Sequence, residues 1–242
     1  MSLVAKNFSV GAASYDKTAR IQPAVAARLA GKLQGAATRV LEIGCGTGGL
    51  SQHLVRMFPE AELVLTDIAL PMLKICEQRV GSRALYQVMD GQNPDAGLGT
   101  FDLIVSSLAM QWLEDLQGVI SRLAGMLKPG GTLAFAVLGE KNFPEWRALL
   151  DEQGIDPGLH HYPKAELFPW PDGLEGKIEE EFLEENHPSG AAFLKSLKVI
   201  GAGAPRAGYE PVRPAQMRRL LAATAGGFAV TYHVLYGSLT LR

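Results

Sequence analysis

Residues 40–54 read VLEIGCGTGGLSQHL, with four glycines among the six positions from Gly44 to Gly49. Glycines this dense, after an apolar run and before a helical pattern, permit a tight turn and bring backbone N–H groups close to a ligand at a helix N-terminus. Two nucleotide loops fit. Gly44, Gly46 and Gly49 satisfy the dinucleotide spacing G-x-G-x-x-G, and Gly44, Gly46 and Gly48 satisfy G-x-G-x-G equally well. Glu42, two residues before the first glycine, separates them: a carboxylate there repels a pyrophosphate. The same carboxylate attracts a cofactor that carries an ammonium and a sulfonium and no phosphate, which describes S-adenosylmethionine. Asp67, 23 residues after Gly44, offers two acceptor oxygens to a pair of ribose hydroxyls, or else caps the helix that follows.

Such a loop works only where a strand delivers it and a helix receives it. RVLEIG (39–44) and ELVLTD (62–67) read as short buried strands, each followed by a helical pattern. ALYQVMD (84–90), FDLIVSSL (101–108) and GTLAFAVLG (131–139) continue the series, and LEDLQGVISRLAGMLKPGG supplies a helix closed by Pro-Gly-Gly. Past residue 140 the pattern loosens at GIDPGLHHYPKAELFPWPDG. A strand near 178–184, a helix over 190–201 and the long alternating strand FAVTYHVLYGSLTLR follow. The expected fold is α/β, a doubly wound, mostly parallel seven-stranded sheet with a cap insertion before the last strand. The expected organisation is one domain over 1–242: a lid at 1–37, a nucleotide-binding core at 38–140, a substrate cap with sheet completion at 141–229, and the last strand at 230–242.

With 242 residues and 47% hydrophobic content, the chain can bury a large core. A formal net charge of −2 argues against general binding to nucleic acid or to an anionic membrane. No apolar run approaches a bilayer span and the N-terminus lacks a signal-peptide pattern, so the expected location is cytoplasmic. Two cysteines, Cys45 and Cys76, are too few for a disulfide framework or a cysteine metal site and read as packing residues. His53, His160, His161, His187 and His233 have no metal-ligand spacing; they read as loop or packing residues, and no metal is expected.

These motifs, in this order, resemble those of the class I S-adenosylmethionine-dependent methyltransferases over most of residues 8–140. LEIGCGTG is similar to that family's first motif, and FDLIVSS and LKPGG to later ones. The resemblance implies that Asp67 pairs with the ribose hydroxyls, that Asp90-Gly91 contacts the adenine and that Met72 lies beside the adenosine. Asp-Gly is also a plain turn signal, and Met72 also fits a helix core. Transfer of a methyl group from a sulfonium needs chiefly an in-line nucleophile, and a carboxylate is ionised at neutral pH without a general base.

A narrower resemblance, to the malonyl-acyl-carrier-protein O-methyltransferases of biotin synthesis, reaches the C-terminus. FSVGAASYDKTARIQ, SSLAMQWLEDL, LKSLKVIGAGAP and VTYHVLYG carry it. It implies methylation of the free carboxylate of a malonyl thioester on an acidic acyl-carrier protein, masking a charge so that fatty-acid synthesis enzymes extend the product. Residues 191–219 hold Lys195, Lys198, Arg206, Arg213, Arg218 and Arg219 against Glu210 alone, while residues 175–186 hold six glutamates against Lys177. The basic run is either a solvated surface or a dock for that carrier. The cofactor set expected is Glu42, Gly44, Gly46, Gly48, Asp67, Met72, Asp90 and Gly91, closed by Tyr15 and Gln22 as a lid. Gln111 and Trp112 stand where the acceptor must sit, Lys198 or Arg206 holds the acyl carboxylate, and Lys195, Lys198, Arg213, Arg218 and Arg219 face the carrier. Tyr15 also fits an aromatic anchor and Trp112 a core plug. Two other readings are a methyltransferase for a free carboxylic acid or quinone precursor, and a non-catalytic S-adenosylmethionine-binding regulator with a blocked mouth near Trp112.

Overall fold

The computed structural model describes residues 3–203, 206 and 208–241. Three short helices, α1 (Leu3–Gly11), α2 (Tyr15–Thr18) and α3 (Ile21–Lys32), precede the alternating core. The core runs β1 (Arg39–Ile43), α4 (Ser51–Met57), β2 (Glu62–Asp67), α5 (Leu70–Val80), β3 (Leu85–Val88), β4 (Phe101–Ser107), α6 (Leu116–Ala124) and β5 (Leu127–Leu138). Then come α7 (Pro144–Asp151), β6 (Gly176–His187), α8 (Gly190–Val199), α9 (Pro214–Ala222) and β7 (Phe228–Thr240).

The seven strands form one sheet in the order β3-β2-β1-β4-β5-β7-β6, with β7 antiparallel to both its neighbours and the remaining pairings parallel. The central strands are apolar on both sides because both faces are covered. Val40, Leu103, Val105 and Ala136 face a layer built from Val25 and Leu29 of α3, Leu54 of α4, Leu73 of α5 and Phe193 of α8. Leu41, Ile43, Ile104 and Phe135 face Val119, Ile120 and Leu123 of α6 and the aromatic residue Phe168. The chain winds outward from β1 in one direction and from β4 in the other, so a crevice opens at the carboxyl ends of these two strands.

Several boundaries depart from the sequence expectation. LKPGG does not close a helix: α6 ends at Ala124, and Pro129-Gly130-Gly131 lie inside β5, whose register against β4 shifts between Phe101 and Leu103. A Cβ on Gly131 would stand 2.9 Å from the Phe101 carbonyl oxygen, so glycine lets the strand bulge there. Two helices, α7 and α9, lie within the loosened region, each opened by a proline in its first turn. The glutamates of the edge strand β6 are not an unpaired acidic field: Glu179 pairs with Lys32, Glu181 with Arg28 and Glu180 with Lys141. Arg242, expected in the last strand, and Ala204-Pro205 lie outside the described residues.

Gly237 of β7 sits opposite Phe135, whose ring stacks on Phe168 at 5.4 Å. A Cβ at Gly237 would approach the Phe135 ring to 2.1 Å, and Phe135 is fully buried. Gly237→Ala is therefore expected to cost about 1–3 kcal/mol by overpacking, read as a lower urea midpoint at unchanged slope. An unchanged midpoint would mean that the ring has room to turn away.

Candidate functional site

The glycine loop leaves β1 at the crevice. Gly44, Gly46 and Gly48 have φ of 69°, 54° and 90°, the left-handed region that other residues adopt at a cost, whereas Gly49 has no such angle and open space around it. The backbone thus uses the G-x-G-x-G spacing. Gly44 also lies against Ala109, whose Cβ would be 2.3 Å from an added one.

Asp67 fastens this loop. Its Oδ2 accepts the Gly46 N–H at 2.9 Å and its Oδ1 the Ala69 N–H at 2.8 Å. Turn capping and a place at the crevice are both true of this carboxylate, which is 8% exposed. Burial raises its pKa, and the two backbone hydrogen bonds oppose the rise. Glu42 is more deeply buried, at 1% exposure, and accepts the Ser51 hydroxyl at 2.6 Å. Loss of hydration pushes its carboxyl up to about 8 against the partial opposition of Ser51. The protein without ligand therefore holds Glu42 largely protonated at neutral pH, a state that the sequence, which treats it as an anion, does not reveal.

Two compartments meet over the loop. The larger, about 330 Å³, is lined by Gly44, Gly46, Asp67, Met72, Asp90 and Gly91, with Tyr15 and Trp112 at its sides. The smaller, about 230 Å³, is lined by Gln22, Glu42, Cys45 and Arg79 and shares Tyr15, Gly44, Gly46 and Ser107 with the larger. Met72 is at once core and wall, since it is 1% exposed and packs with Ala12 and Ala69. Asp90 is likewise a turn residue, accepting the Gln92 N–H at 2.9 Å, and a wall. Gly48 and Gln111 touch neither compartment; Gly48 shapes the loop, and Gln111 Nε2 donates to the Leu108 carbonyl at 2.8 Å.

The N-terminal helices roof this space. Asp16, beside Tyr15, accepts the Thr47 hydroxyl at 2.6 Å and pairs with Arg79 of α5, so the lid is clasped to the glycine loop from above. Burial and the nearby Asp67 and Asp16 raise the Tyr15 phenol pKa, keeping it a hydrogen-bond donor. At the mouth, Trp112 is met edge-on by Phe8 at 5.6 Å and by His160 at 5.2 Å, while Leu108 holds a left-handed φ of 51°. Asp16, Arg79 and Phe8 are not singled out by the sequence, whereas His160, expected as a loop or packing residue, packs on Trp112. The Tyr-Asp pair was the one available signal for Asp16, and nothing local marks the others.

Lys198 and Arg206 line neither compartment. Lys198 is exposed on α8, and Arg206 forms an ion pair with Asp156 at one end of the cap. The placement of Lys198 away from the crevice follows from the packing of α8, which turns Phe193 rather than its lysines toward the sheet; Arg206, beyond that helix, is held by Asp156.

Residues 41–133 match the family described as "Methyltransferase domain". Across 98% of this chain and 92% of the relative, 44% of residues are identical to the malonyl-[acyl-carrier protein] O-methyltransferase of Magnetococcus marinus. The chain belongs to the malonyl-[acyl-carrier protein] O-methyltransferase family. It is 40% identical over 97% of its length to the biotin biosynthesis bifunctional protein BioCD of Bordetella avium, of which it spans 51%. The N-methyltransferase NodS of Bradyrhizobium japonicum, solved with S-adenosyl-L-homocysteine, shares the fold, with a TM-score of 0.53 and 17% identity over 96% of this chain and 99% of that one. As a member of the malonyl-[acyl-carrier protein] O-methyltransferase family, the chain is an S-adenosylmethionine-dependent O-methyltransferase. The site fits that cofactor: Asp67 keeps spare acceptor lone pairs, and no lysine or arginine stands on the larger compartment to meet a phosphate. Among the described residues no cluster of metal-ligating side chains occurs, and no helix is long and apolar enough to cross a membrane.

Proposed function

We propose that the chain methylates the free carboxylate of a malonyl thioester presented by acyl-carrier protein, in the early part of biotin synthesis. S-Adenosylmethionine, when bound, supplies an electrophilic methyl group and accepts the departing electron pair on sulfur. Asp67 has one lone pair per oxygen already engaged by backbone N–H and one per oxygen left, which suits two ribose hydroxyls. Met72, Asp90 and Gly91 enclose the base, Gly44, Gly46 and Gly48 pass the chain beneath the ribose, and Glu42 and Gln22 take the amino-acid end in the smaller compartment. Tyr15 belongs to both compartments, so its phenol stands at their junction and donates to the acyl carboxylate, orienting one oxygen while the other attacks. Trp112 shapes the wall that keeps water from the reacting carboxylate, and Gln111 holds the turn before it through the Leu108 carbonyl.

One observation carries the carrier-protein reading. Among the described residues Lys195, Lys198, Arg213, Arg218 and Arg219 form no ion pair, in contrast to the paired glutamates of β6. The C-terminal end of α8, which carries Lys198, adjoins the mouth because it packs on α1: a Cβ on Gly11 would lie 2.6 Å from the Val199 carbonyl oxygen, and one on Gly201 3.0 Å from Phe8; Arg213 and Arg219 stand on a separate hollow beside Glu152 of the α7 end. Phe8 in turn lines the larger compartment. An acidic carrier steered to α8 and α9 would deliver its thioester beside Trp112. With radiolabelled S-adenosylmethionine, label is expected on malonyl-acyl-carrier protein and not on the unacylated carrier. Raising salt from 50 to 500 mM should cut the rate roughly tenfold or more. Labelling of free malonate at a comparable rate, indifferent to salt, would send the acceptor search to soluble acids.

A further inference from the structure

The N-terminal helices that roof the site have an inner and an outer side. Ala5, Phe8 and Ala12 recur at helical spacing and turn inward: Ala5 and Ala12 are buried, Ala12 packs with Ala69 and Met72, and Phe8 lines the larger compartment. Lys6 and Val10, one turn apart on α1, are both exposed. At 79%, Val10 is the most exposed large apolar side chain among the described residues.

The C-terminal end of α8 lies beside this outer side. Gly11, next to Val10, is the residue whose added Cβ would meet the Val199 carbonyl oxygen, and Lys198 directly precedes Val199. Lys195 and Lys198, three residues apart on α8, are exposed, and α2, with exposed Lys17, lies against the same helix. Neither α1 nor α8 contains an acid, and Asp16, the one acid in the first 41 residues, is engaged by Thr47 and Arg79. Among the described residues Lys6, Lys17, Lys195 and Lys198 form no ion pair. An exposed apolar side chain among unpaired cations is complementary to an acidic protein surface.

We propose that this outer face, Lys6 and Val10 of α1 with Lys195 and Lys198 of α8, is where the acidic carrier docks, and that the docked carrier holds the lid closed over the cofactor. The proposal rests on the carrier reading above and makes the lid part of the dock. Helix α8 is anchored, since its Phe193 is fully buried in the layer against the sheet. The lid's Tyr15 lines both cofactor compartments. A carrier seated across α1 and α8 therefore ties the roof to the body of the protein and opposes its lifting. Cofactor beneath the lid and carrier above it favour the same closed state, so each strengthens the binding of the other by one common factor.

The test uses the full chain and calorimetry at about 50 mM salt, where steering is strong. Saturating S-adenosylhomocysteine should raise the affinity for unacylated carrier at least about fivefold, and saturating carrier should raise that for S-adenosylhomocysteine equally. Unacylated carrier has no malonyl group to touch the cofactor, so coupling seen with it passes through the lid. Lys6→Glu and Val10→Glu should each weaken malonyl-acyl-carrier-protein binding at least about tenfold, and Arg213→Glu with Arg219→Glu, on the separate hollow, by less. The S-adenosylhomocysteine affinity of each variant without carrier reports whether its lid is formed; if the glutamates unfold it, Lys6→Gln and Val10→Ser should still lose about threefold. Lid-intact variants that bind carrier as the wild type does, or carrier binding indifferent to S-adenosylhomocysteine, would overturn the proposal. Carrier binding weakened only by the Arg213 and Arg219 substitutions would keep the carrier reading and move the dock to α9. A wild-type protein that binds S-adenosylhomocysteine but no malonyl-acyl-carrier protein would overturn both.

Discussion

Asp67→Ala is expected to weaken S-adenosylhomocysteine binding by at least about a hundredfold. Two hydrogen bonds from ribose hydroxyls to a carboxylate contribute about 1.5–3 kcal/mol each, and their joint loss exceeds the 2.7 kcal/mol that corresponds to a hundredfold. The substitution also strips the Gly46 and Ala69 N–H groups of their acceptor, so the loop that supports the cofactor loses its fastening. That second effect appears in the free protein as a stability loss of roughly 1–3 kcal/mol, the cost of leaving buried donors unsatisfied. Asp67→Asn separates the two. Its carboxamide oxygen can still accept one backbone N–H, so most stability returns, while the neutral group remains a weaker partner for the hydroxyls. Calorimetric titration alongside thermal denaturation reads both quantities. A variant that loses stability but keeps affinity would show that Asp67 only caps the turn.

The second large effect is a pH dependence of cofactor binding centred on Glu42. Because burial pushes this carboxyl up to about 8, a cationic amino-acid group in the smaller compartment must expel a proton to bind at neutral pH. Affinity for S-adenosylmethionine is expected to fall as pH drops below about 8, by up to about tenfold per pH unit, and to level off above it. Calorimetry at pH 7 in buffers of different ionisation enthalpy should report about one proton released per cofactor bound. Stability of the free protein runs the other way. Between the ordinary carboxyl value of 4.5 and about 8, the folded state binds a proton that the unfolded state does not, so stability falls as pH rises through this window. Glu42→Gln should abolish both trends. It should leave the free protein more stable than wild type above pH 8 and bind cofactor weakly at every pH. A wild-type affinity flat from pH 6 to 9 would mean that Glu42 is already ionised or faces no cation.

Much of this was readable along the chain because it is local. A strand followed by a glycine loop and a helix is set by neighbours within about fifteen residues, and the apolar runs 39–44, 62–67 and 101–108 locate their strands to within a residue of where they lie. Pro-Gly-Gly misled because a turn signal and a bulge have the same composition. Pairing with β4 and β7 decides that these residues continue β5. The helices α7 and α9 stayed hidden because their neighbouring loops are rich in proline, and a proline in a first turn opens a helix as readily as it ends one.

At the site the division is the same. The sequence by itself determined that a strand-borne glycine loop holds a nucleotide cofactor, that Glu42 disfavours a pyrophosphate, and that an acid stands at the end of the second strand. Tertiary structure decided the rest: Gly48 rather than Gly49 takes the left-handed turn, Glu42 is stripped of water, and Asp16 and Arg79 clasp the lid to Thr47. It also sets Lys198 and Arg206 outside the crevice and His160 against Trp112. The physical reason is range. Spacing along a strand or helix fixes which residues share a face, but burial, charge state and the meeting of residues 8, 112 and 160 depend on contacts that exist only after the layers have packed.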